Sequence, residues 1–340
     1  MPTTVYITET FDQMSKVAAD LVEADITEKL KAKREYVLGL ATGNSPTGLY
    51  KHLAKAFNAR RIDAQRVRSF NLDEYVGLPG ENPQQRALHR ESYSYFMLTE
   101  LFGLLRDKPI ETNVPWGTLI DQTELAEALA SNKSAYELQG RNNGQAIHIK
   151  EGATGILKMI KEEVLDAYAE KIASVGGIDL HVIGVGGRGH VAFHESGIPF
   201  EGNRMLLVKL DDHTVLHAVQ DGHFASVEDS PHYAISMGAE LVYKARKIVL
   251  VANGSRKTSP IAESLLGEVT PDVPISYGQR YAAEGGDLSY VLDALAAAEL
   301  WARREDAKAK GIRLLDLRGN PYPKLDAFAF TRCPKTCRMG

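Results

Sequence analysis

The chain has 340 residues, of which 44% are hydrophobic and 25% are charged, as expected for a globular protein with a large core. The formal net charge of −4 argues against a nucleic-acid partner, and no apolar run is long enough to cross a bilayer, which argues against a membrane partner. The first ten residues lack the basic and apolar regions of a signal peptide, and the two cysteines, Cys333 and Cys337, lie near the C-terminus. These features predict a cytoplasmic protein.

The N-terminal part of the chain predicts two strand–helix units. In the first, a short strand at residues 4–7 precedes a helix whose apolar side chains recur at helical spacing from Phe11 to Leu30. In the second, a continuous apolar run at residues 36–41 is typical of a central parallel strand, and an amphipathic helix follows at about residues 47–59.

A small polar loop, Thr42-Gly43-Asn44-Ser45-Pro46, joins this second strand to its helix. Such a loop presents backbone N–H groups and hydroxyls at a helix N-terminus, an arrangement that binds anions. A tight turn in which Ser45 only caps the helix fits the same residues. The loop alone leaves both interpretations open.

The next strand is predicted at residues 67–72, and Asp73-Glu74-Tyr75 follow it directly. Taken alone, two adjacent acids after a strand fit a solvated turn better than a base placed over the sheet edge. The three later segments of this part are a helix at residues 89–102, a polar, turn-rich surface insertion at residues 121–152, and a long helix at about residues 153–175.

The glycine-rich stretch from Gly184 to Gly189 follows an apolar run that predicts a buried strand at residues 180–185. Its glycines let the backbone approach a ligand closely, and His190 and Glu195 lie just behind it. Imidazole plus carboxylate at the carboxyl end of a strand is where open α/β sheets place their chemistry. The stretch also fits the dinucleotide fingerprint G-x-G-x-x-G, which requires a helix to start on the glycines. No helical period follows, so no nucleotide cofactor is expected.

The last third of the chain predicts strands at residues 205–210 and 247–252, with a helix at about residues 234–245 between them. The second strand ends in Asn253-Gly254-Ser255-Arg256-Lys257 and a further helix, which gives a second anion site. Lys257 is unfavourable at a helix start unless an anionic ligand lies nearby. A strand at residues 289–292 and an alanine-rich helix follow.

This alternation of strands and helices predicts an α/β fold with a doubly wound, mostly parallel, Rossmann-like sheet. We expect one domain over residues 1–305 and an appended tail over residues 306–340. The two cysteines of the tail do not complete a tetrahedral zinc site, so neither a metal nor a cofactor is expected.

Four segments of the sequence resemble the signature segments of the glucosamine-6-phosphate deaminase/isomerase family. They are residues 38–46, 70–79, 186–195 and 254–257, and they occur in the family's order. The similarity covers roughly residues 1–300. The Phe-Asn-Leu-Asp-Glu-Tyr segment is specific, whereas the glycine loop is shared with 6-phosphogluconolactonases. The resemblance implies an aldose–ketose isomerisation of an amino-sugar phosphate coupled to loss of ammonia.

The resemblance also implies roles for individual residues. Asp73 is the expected base that moves a proton between C2 and C1, His190 the group that helps to open the sugar ring, and Glu195 the carboxylate that orients His190. The residues expected to bind the sugar or its phosphate are Thr42, Gly43, Asn44, Ser45, Glu74, Gly187, Arg188 and Lys257.

Arg188 stands where the family normally has an aspartate. One possible orientation places its cation beside His190, where ring opening would be impaired. The other turns it toward Glu195 or an anionic substrate group, which is favoured because an unpaired arginine in a pocket is costly. At the position where the family has a phosphate-binding arginine, this sequence has Gln220.

Two further functions remain open. A 6-phosphogluconolactonase-like hydrolase shares the glycine loop, although the segments around Asp73 and Phe193 favour the deaminase. A non-catalytic sugar-phosphate sensor would explain Arg188 as lost catalysis, but the presence of Asp73, His190 and Glu195 favours an enzyme. In each case the partner is a small sugar phosphate, and a homo-oligomer is expected.

Overall fold

A computed structural model describes residues 3–142, 144–220 and 222–325. Its strands, in chain order, are β1 (Thr4–Ile7), β2 (Tyr36–Leu40), β3 (Val67–Asn71), β4 (Asp73–Val76), β5 (Glu111–Asn113), β6 (Tyr136–Gln139), β7 (Gln145–Ile149), β8 (Leu180–Ile183), β9 (Met205–Lys209), β10 (Tyr233–Met237), β11 (Lys247–Ala252), β12 (Asp287–Leu292) and β13 (Arg313–Asp316). Its α-helices are α1 (Phe11–Lys29), α2 (Thr47–Asn58), α3 (Pro83–Ala87), α4 (Tyr93–Glu100), α5 (Gln122–Ser131), α6 (Gly155–Met159), α7 (Ala167–Ser174), α8 (Asp212–Gln220), α9 (Ala239–Val242), α10 (Thr258–Leu266), α11 (Tyr277–Ala283), α12 (Ala298–Ala302) and α13 (Arg304–Ala309).

Eight strands form a parallel sheet in the order β13-β1-β12-β11-β8-β2-β3-β5. Helices α1 and α2 pack on one face of this sheet, and α7 and α10 pack on the other. The doubly wound α/β fold predicted from the sequence is therefore confirmed. The chain adds β3 and β5 on one side of β2 but β8 and β11 on the other, so the topology reverses between β2 and β8. Ligands bind at the carboxyl ends of strands at such a reversal.

The two strands at this reversal approach each other closely. Gly39 of β2 lies opposite His181 of β8, and a Cβ added to Gly39 would lie 1.8 Å from His181 Cδ2. Only glycine leaves room for the imidazole at this point. Burial lowers the pKa of His181 to about 4, so the ring is neutral in the core at neutral pH.

A second, antiparallel sheet has the strand order β4-β10-β9-β7-β6. Leu72 alone separates β3 from β4, so the chain passes from one sheet to the other at the edge of the crevice. Asp73 pairs with Ser236 of β10, and all four residues of β4 are buried. The solvated turn expected at residues 73–75 is therefore wrong, because the antiparallel pairing satisfies the backbone in a buried strand.

Two predictions about the second sheet are also wrong. Residues 121–152 are not a surface insertion: they form α5, β6 and β7, and β7 pairs with β9 while Leu125 and Ile147 lie in the core. The helix predicted at residues 234–245 is instead β10 followed by the short α9. The alanines and apolar residues of this segment are compatible with a helix or a strand. Residues 233–237 form a strand because they pair with β9 and β4.

The predicted tail begins with regular structure. Residues 304–316 form α13 and β13, and β13 pairs in parallel with β1 at the sheet edge. The tail prediction is therefore wrong for this part, because a strand near the C-terminus completes a sheet begun near the N-terminus. Cys333 and Cys337 lie outside the described residues, so the absence of zinc stays a prediction.

The long helix predicted at residues 153–175 is confirmed, as α6, a π-helical turn at Ile160–Asp166, and α7. Its predicted apolar face is buried. Within the described ranges, no helix has both the length and the apolar character needed to cross a membrane.

Candidate active site

A cavity of about 510 Å³ opens at the carboxyl ends of β2, β8 and β11. Three loops border it, at residues 42–45, 184–193 and 253–257. The predicted site residues that line it are Thr42, Gly43, Asn44, Ser45, Asp73, Gly187, His190 and Lys257. Glu74, Arg188 and Glu195 lie outside this lining.

The loops at residues 42–45 and 253–257 form what we call the loop end of the cavity. Ser45 Oγ donates a hydrogen bond of 2.7 Å to Asn253 Oδ1, which ties the two loops together. Helix α2 has Pro46 at its N-cap and no side-chain capping hydrogen bond. Ser45 is therefore not the helix cap that the sequence allowed, and its hydroxyl belongs to the site.

Asp293, which directly follows β12, fixes the backbone of the loop at residues 253–257. Gly254 donates its N–H to both carboxylate oxygens of Asp293, at 3.0 and 3.1 Å. The φ angle of 85° at Gly254 is a left-handed conformation that glycine adopts without strain. Two basic residues of this loop, Arg256 and Lys257, line the cavity. Among the described lining residues, Asp73 is the only acidic one. The loop end therefore offers a cationic, preformed place for an anion.

Asp73 lies in the wall of this cavity, where β4 begins. The residue is 5% exposed, and its Oδ1 has no hydrogen-bond partner among the described residues. Burial, and secondly the charge of Glu74, raises the pKa of Asp73 well above its ordinary value. A buried carboxylate with an unpartnered oxygen has a high proton affinity, which suits a group that must accept a proton and return it.

Glu74 faces away from the cavity, because neighbouring side chains of a strand alternate between its two sides. Its carboxylate accepts hydrogen bonds from the backbone N–H of Tyr75, Tyr93 and Ser94 and from Ser94 Oγ, at 2.9–3.1 Å. The expectation that Glu74 contacts the substrate is therefore not supported, because its oxygens are already engaged behind the cavity wall.

His190 and Glu195 form a pair at the end of the glycine loop. His190 Nδ1 lies 3.2 Å from Glu195 Oε2, and a Cβ added to Gly186 would lie 1.7 Å from His190 Nε2. Gly186 is thus required for the ring to pack on the backbone. Because the carboxylate accepts the Nδ1 proton, Nε2 is the unprotonated nitrogen of the neutral ring. Asp73 and His190 line the cavity, and with Glu195, which contacts His190 from outside the lining, they form what we call the carboxylate end.

Arg188 takes neither of the orientations that the sequence suggested. Its Nη1 lies 3.4 Å from Asp211 Oδ2, and its side chain is 45% exposed. Asp211 is buried, and it also accepts the backbone N–H of His213 at 2.8 Å. A guanidinium is attracted to such a carboxylate, so Arg188 lies against Asp211 rather than in the cavity. The predicted contact between Arg188 and substrate is therefore not supported by the geometry.

Several residues that line the cavity were not predicted from the sequence. Helix α8 contributes Thr214, His217 and Ala218, which share one helical face, and Tyr93 and His223 also line the cavity. The spacing on α8 was a signal present in the sequence. The described ranges hold no group of three or more histidine, cysteine or acidic side chains arranged to bind a metal ion.

Comparisons with known proteins agree with the resemblance. Residues 122–284 match the family model for glucosamine-6-phosphate isomerases/6-phosphogluconolactonase. A glucosamine-6-phosphate deaminase of Clostridium acetobutylicum is 32% identical over 85% of this chain and 97% of its own length. A solved monomeric glucosamine-6-phosphate deaminase is 25% identical with a TM-score of 0.65, covering 87% of this chain and 99% of that one. A 6-phosphogluconolactonase from Trypanosoma brucei shares the fold, with 15% identity and a TM-score of 0.58 over 88% of this chain and 98% of that one.

The family match begins at residue 122 and so includes the segment that the sequence suggested was an insertion. The identity to the clostridial protein extends over most of both chains, and both functions in the family's description are enzymatic. The chain is therefore an enzyme, and it belongs to the family of glucosamine-6-phosphate isomerases and 6-phosphogluconolactonases.

Proposed function

We propose that the chain converts an amino-sugar phosphate, glucosamine 6-phosphate or a close relative of it, into a ketose phosphate and ammonia. The observation that carries this proposal is that Asp73, whose buried Oδ1 has no partner in the described part of the chain, borders the same cavity as His190 and the cationic loop end. The similarity to the clostridial deaminase supports the same reaction.

The loop end binds the phosphate of the substrate. Lys257 supplies positive charge, and the loop at residues 42–45, which precedes α2, supplies backbone N–H groups. Thr42, Gly43, Asn44 and Ser45 border the same space. Because the hydrogen bond from Ser45 to Asn253 fixes the two loops, the phosphate anchors the sugar with little rearrangement.

His190 acts first, on the closed sugar ring. Its Nε2 takes the proton of the anomeric hydroxyl and returns it to the ring oxygen, which releases the open-chain aldehyde. Glu195 holds Nδ1 and so fixes which nitrogen accepts this proton.

Asp73 then transfers a proton between neighbouring carbons. The aldehyde acidifies the proton at C2, and the Asp73 carboxylate removes it, leaving a double bond between C1 and C2. The former aldehyde oxygen takes one proton from the amine, and return of the C2 proton to C1 gives a hydroxyl at C1 and an imine at C2. Water adds to this carbon and ammonia leaves, so one water is consumed for each ammonia released.

The test is an assay of the purified protein against hexosamine phosphates, hexose phosphates and 6-phosphogluconolactone, with ammonia, ketose and acid measured separately. We expect equal amounts of ammonia and ketose phosphate from a hexosamine phosphate. The lactonase fold neighbours make lactone hydrolysis the alternative, and acid release without ammonia would establish it. Tight binding of a sugar phosphate without turnover of any compound would instead indicate a sensor.

We also propose that the protein works in the cytoplasm as a homo-oligomer. The monomeric deaminase among the structural neighbours makes a monomer the alternative. Light scattering coupled to size exclusion distinguishes the two states.

A further inference from the structure

Glu74 is a buried acid to which the proposed reaction gives no role. The residue is fully buried, and its carboxylate makes four hydrogen bonds, three of them to residues 93 and 94 of helix α4. Oε1 accepts the N–H of Tyr93 at 2.9 Å, and Oε2 accepts the N–H and Oγ of Ser94 at 3.0 and 3.1 Å. Glu74 thus connects the strand that carries Asp73 to the start of another element.

The first turn of α4 depends on this connection. A helix leaves its first backbone N–H groups without partners inside the helix. Glu74 takes those of Tyr93 and Ser94, and the Ser92 hydroxyl takes that of Tyr95 at 3.0 Å. A negative charge at a helix N-terminus is also favourable in itself.

Tyr93 links the first turn of α4 to the cavity, because its backbone N–H is bonded to Glu74 and its side chain lines the cavity. Its ring stacks on Phe193, with centroids 6.0 Å apart and planes 7° apart, and packs against Tyr75 at 5.0 Å. Tyr93, Tyr75 and Thr42 all line the cavity beside Asp73.

We propose that Glu74 is a positioning residue of the reaction, because its carboxylate fixes the first turn of α4 and thereby the Tyr93 side chain that borders the cavity next to Asp73. The kinetic test of this inference rests on the proposed function, because it measures turnover of a sugar phosphate. It assigns Glu74 to the support of the base and not to substrate binding.

A second effect follows from the charge of Glu74. Burial raises the pKa of Glu74 to about 7, against the lowering effect of its hydrogen bonds, and the Glu74 charge contributes to the raised pKa of Asp73. The two adjacent carboxyls therefore titrate as a coupled pair. The other titratable groups that face them are Tyr50, Tyr75, Tyr93 and Tyr168 in the core, Glu91 near Tyr75, and His190, His217, His223, Arg256 and Lys257 in the cavity.

The experiment compares Glu74→Gln with Ser92→Ala. Both weaken the first turn of α4, but Ser92→Ala leaves the bonds from Glu74 to Tyr93 and Ser94 in place. For Glu74→Gln we expect kcat to fall on the order of 10-fold, with a smaller change in KM, because Tyr93 is displaced beside the reacting carbons. The acid limb of the kcat/KM profile should move to lower pH, because Asp73 loses a neighbouring like charge.

A purely structural role predicts a different result. If Glu74→Gln loses thermal stability as Ser92→Ala does, but keeps the wild-type kcat and acid limb, the inference is wrong. Should Glu74→Gln fail to fold, Tyr93→Leu removes the ring that this connection positions, and a wild-type kcat for that variant also overturns the inference. Absence of turnover by the wild-type protein on every sugar phosphate is a failure of the proposed function. In that case amide exchange at Tyr93 and Ser94, expected to accelerate in Glu74→Gln more than in Ser92→Ala, still tests the anchoring.

Discussion

The loop end and the carboxylate end of the cavity differ in how well their polar groups are satisfied. At the loop end, Ser45 is bonded to Asn253, and Gly254 is bonded to Asp293. At the carboxylate end, Asp73 lies in a buried strand, and one of its oxygens has no partner among the described residues. The first end is therefore stable in the form that binds a ligand, whereas the second keeps its proton affinity at a cost in stability. Substitutions at the loop end should change binding, and substitution of Asp73 should change turnover and stability in opposite directions.

The largest expected effect is on turnover, in Asp73→Asn. The amide has the same size but cannot accept the C2 proton, and loss of a general base costs ~10²–10⁴ in rate. Exchange of deuterium from solvent into C2, followed by NMR, measures this step directly. Asp211→Asn is the control, since Asp211 is also buried but lies outside the cavity lining. Exchange at the wild-type rate in Asp73→Asn would remove Asp73 from the mechanism.

Lys257→Gln should give the next largest effect, and on binding. A charged hydrogen bond to a phosphate is worth about 1.5–3 kcal/mol, so KM should rise on the order of 10- to 100-fold while kcat changes less. Steady-state kinetics and calorimetric titration with the product ketose phosphate measure the two quantities. An effect confined to kcat would place Lys257 at the reacting carbons instead of the loop end.

Asp73→Asn should also stabilise the protein at neutral pH. The folded-state pKa of Asp73 is raised, so folding favours the protonated form, and the wild type loses stability as pH rises above the ordinary value near 4. The variant removes this penalty and should gain ~1–3 kcal/mol at pH 8, with no gain below about pH 4. Urea denaturation at both pH values measures it, and Asp211→Asn, which breaks an ion pair, should show no gain. An equal gain at both pH values would mean that the Asp73 charge is not its cause.

The sequence predicted the loop end better than the carboxylate end. The parallel strands are apolar runs followed by small polar loops, so local pattern alone placed residues 42–45 and 253–257 after strands. By contrast, the local pattern made residues 73–75 a solvated turn, and only the family resemblance singled out Asp73. Strand β4 forms because β10 pairs with it from about 160 residues away, and no local pattern encodes such a partner. The same reason explains why β13 was missed, since its partner β1 lies at the other end of the chain.

The orientation of the Arg188 side chain could not be predicted from the sequence, for a related reason. Asp211 follows a strand of the second sheet, and its closeness to the glycine loop depends on how the two sheets are joined. From the sequence, Glu195 and an anionic substrate group were the favoured partners of Arg188. No local pattern in the sequence indicates Asp211, which lies 23 residues further along the chain.

A smaller effect is expected from Ser45→Ala. The variant removes the hydrogen bond to Asn253 that joins the two loops, which is worth about 0.5–1.5 kcal/mol. KM should rise by a corresponding factor of about 2–12, with kcat little changed. The double variant Ser45→Ala with Asn253→Ala should be no worse than Asn253→Ala alone, because the two residues share one interaction. Additive losses would show that Ser45 contacts the phosphate independently.

The smallest expected effect is that of Arg188→Gln, at the residue that departs most from the family. The guanidinium lies against Asp211 and outside the cavity lining, and its side chain is 45% exposed, so the ion pair is worth at most about 1 kcal/mol. We therefore expect kcat/KM to change less than about threefold and the affinity for sugar phosphate to be retained. Arg188→Asp is the more severe variant, because it brings a second carboxylate next to buried Asp211 and should lower the melting temperature. A rise in KM of tenfold or more in Arg188→Gln would show that the arginine leaves Asp211 for the substrate. The loop end would then not be the only place where this enzyme binds an anionic group.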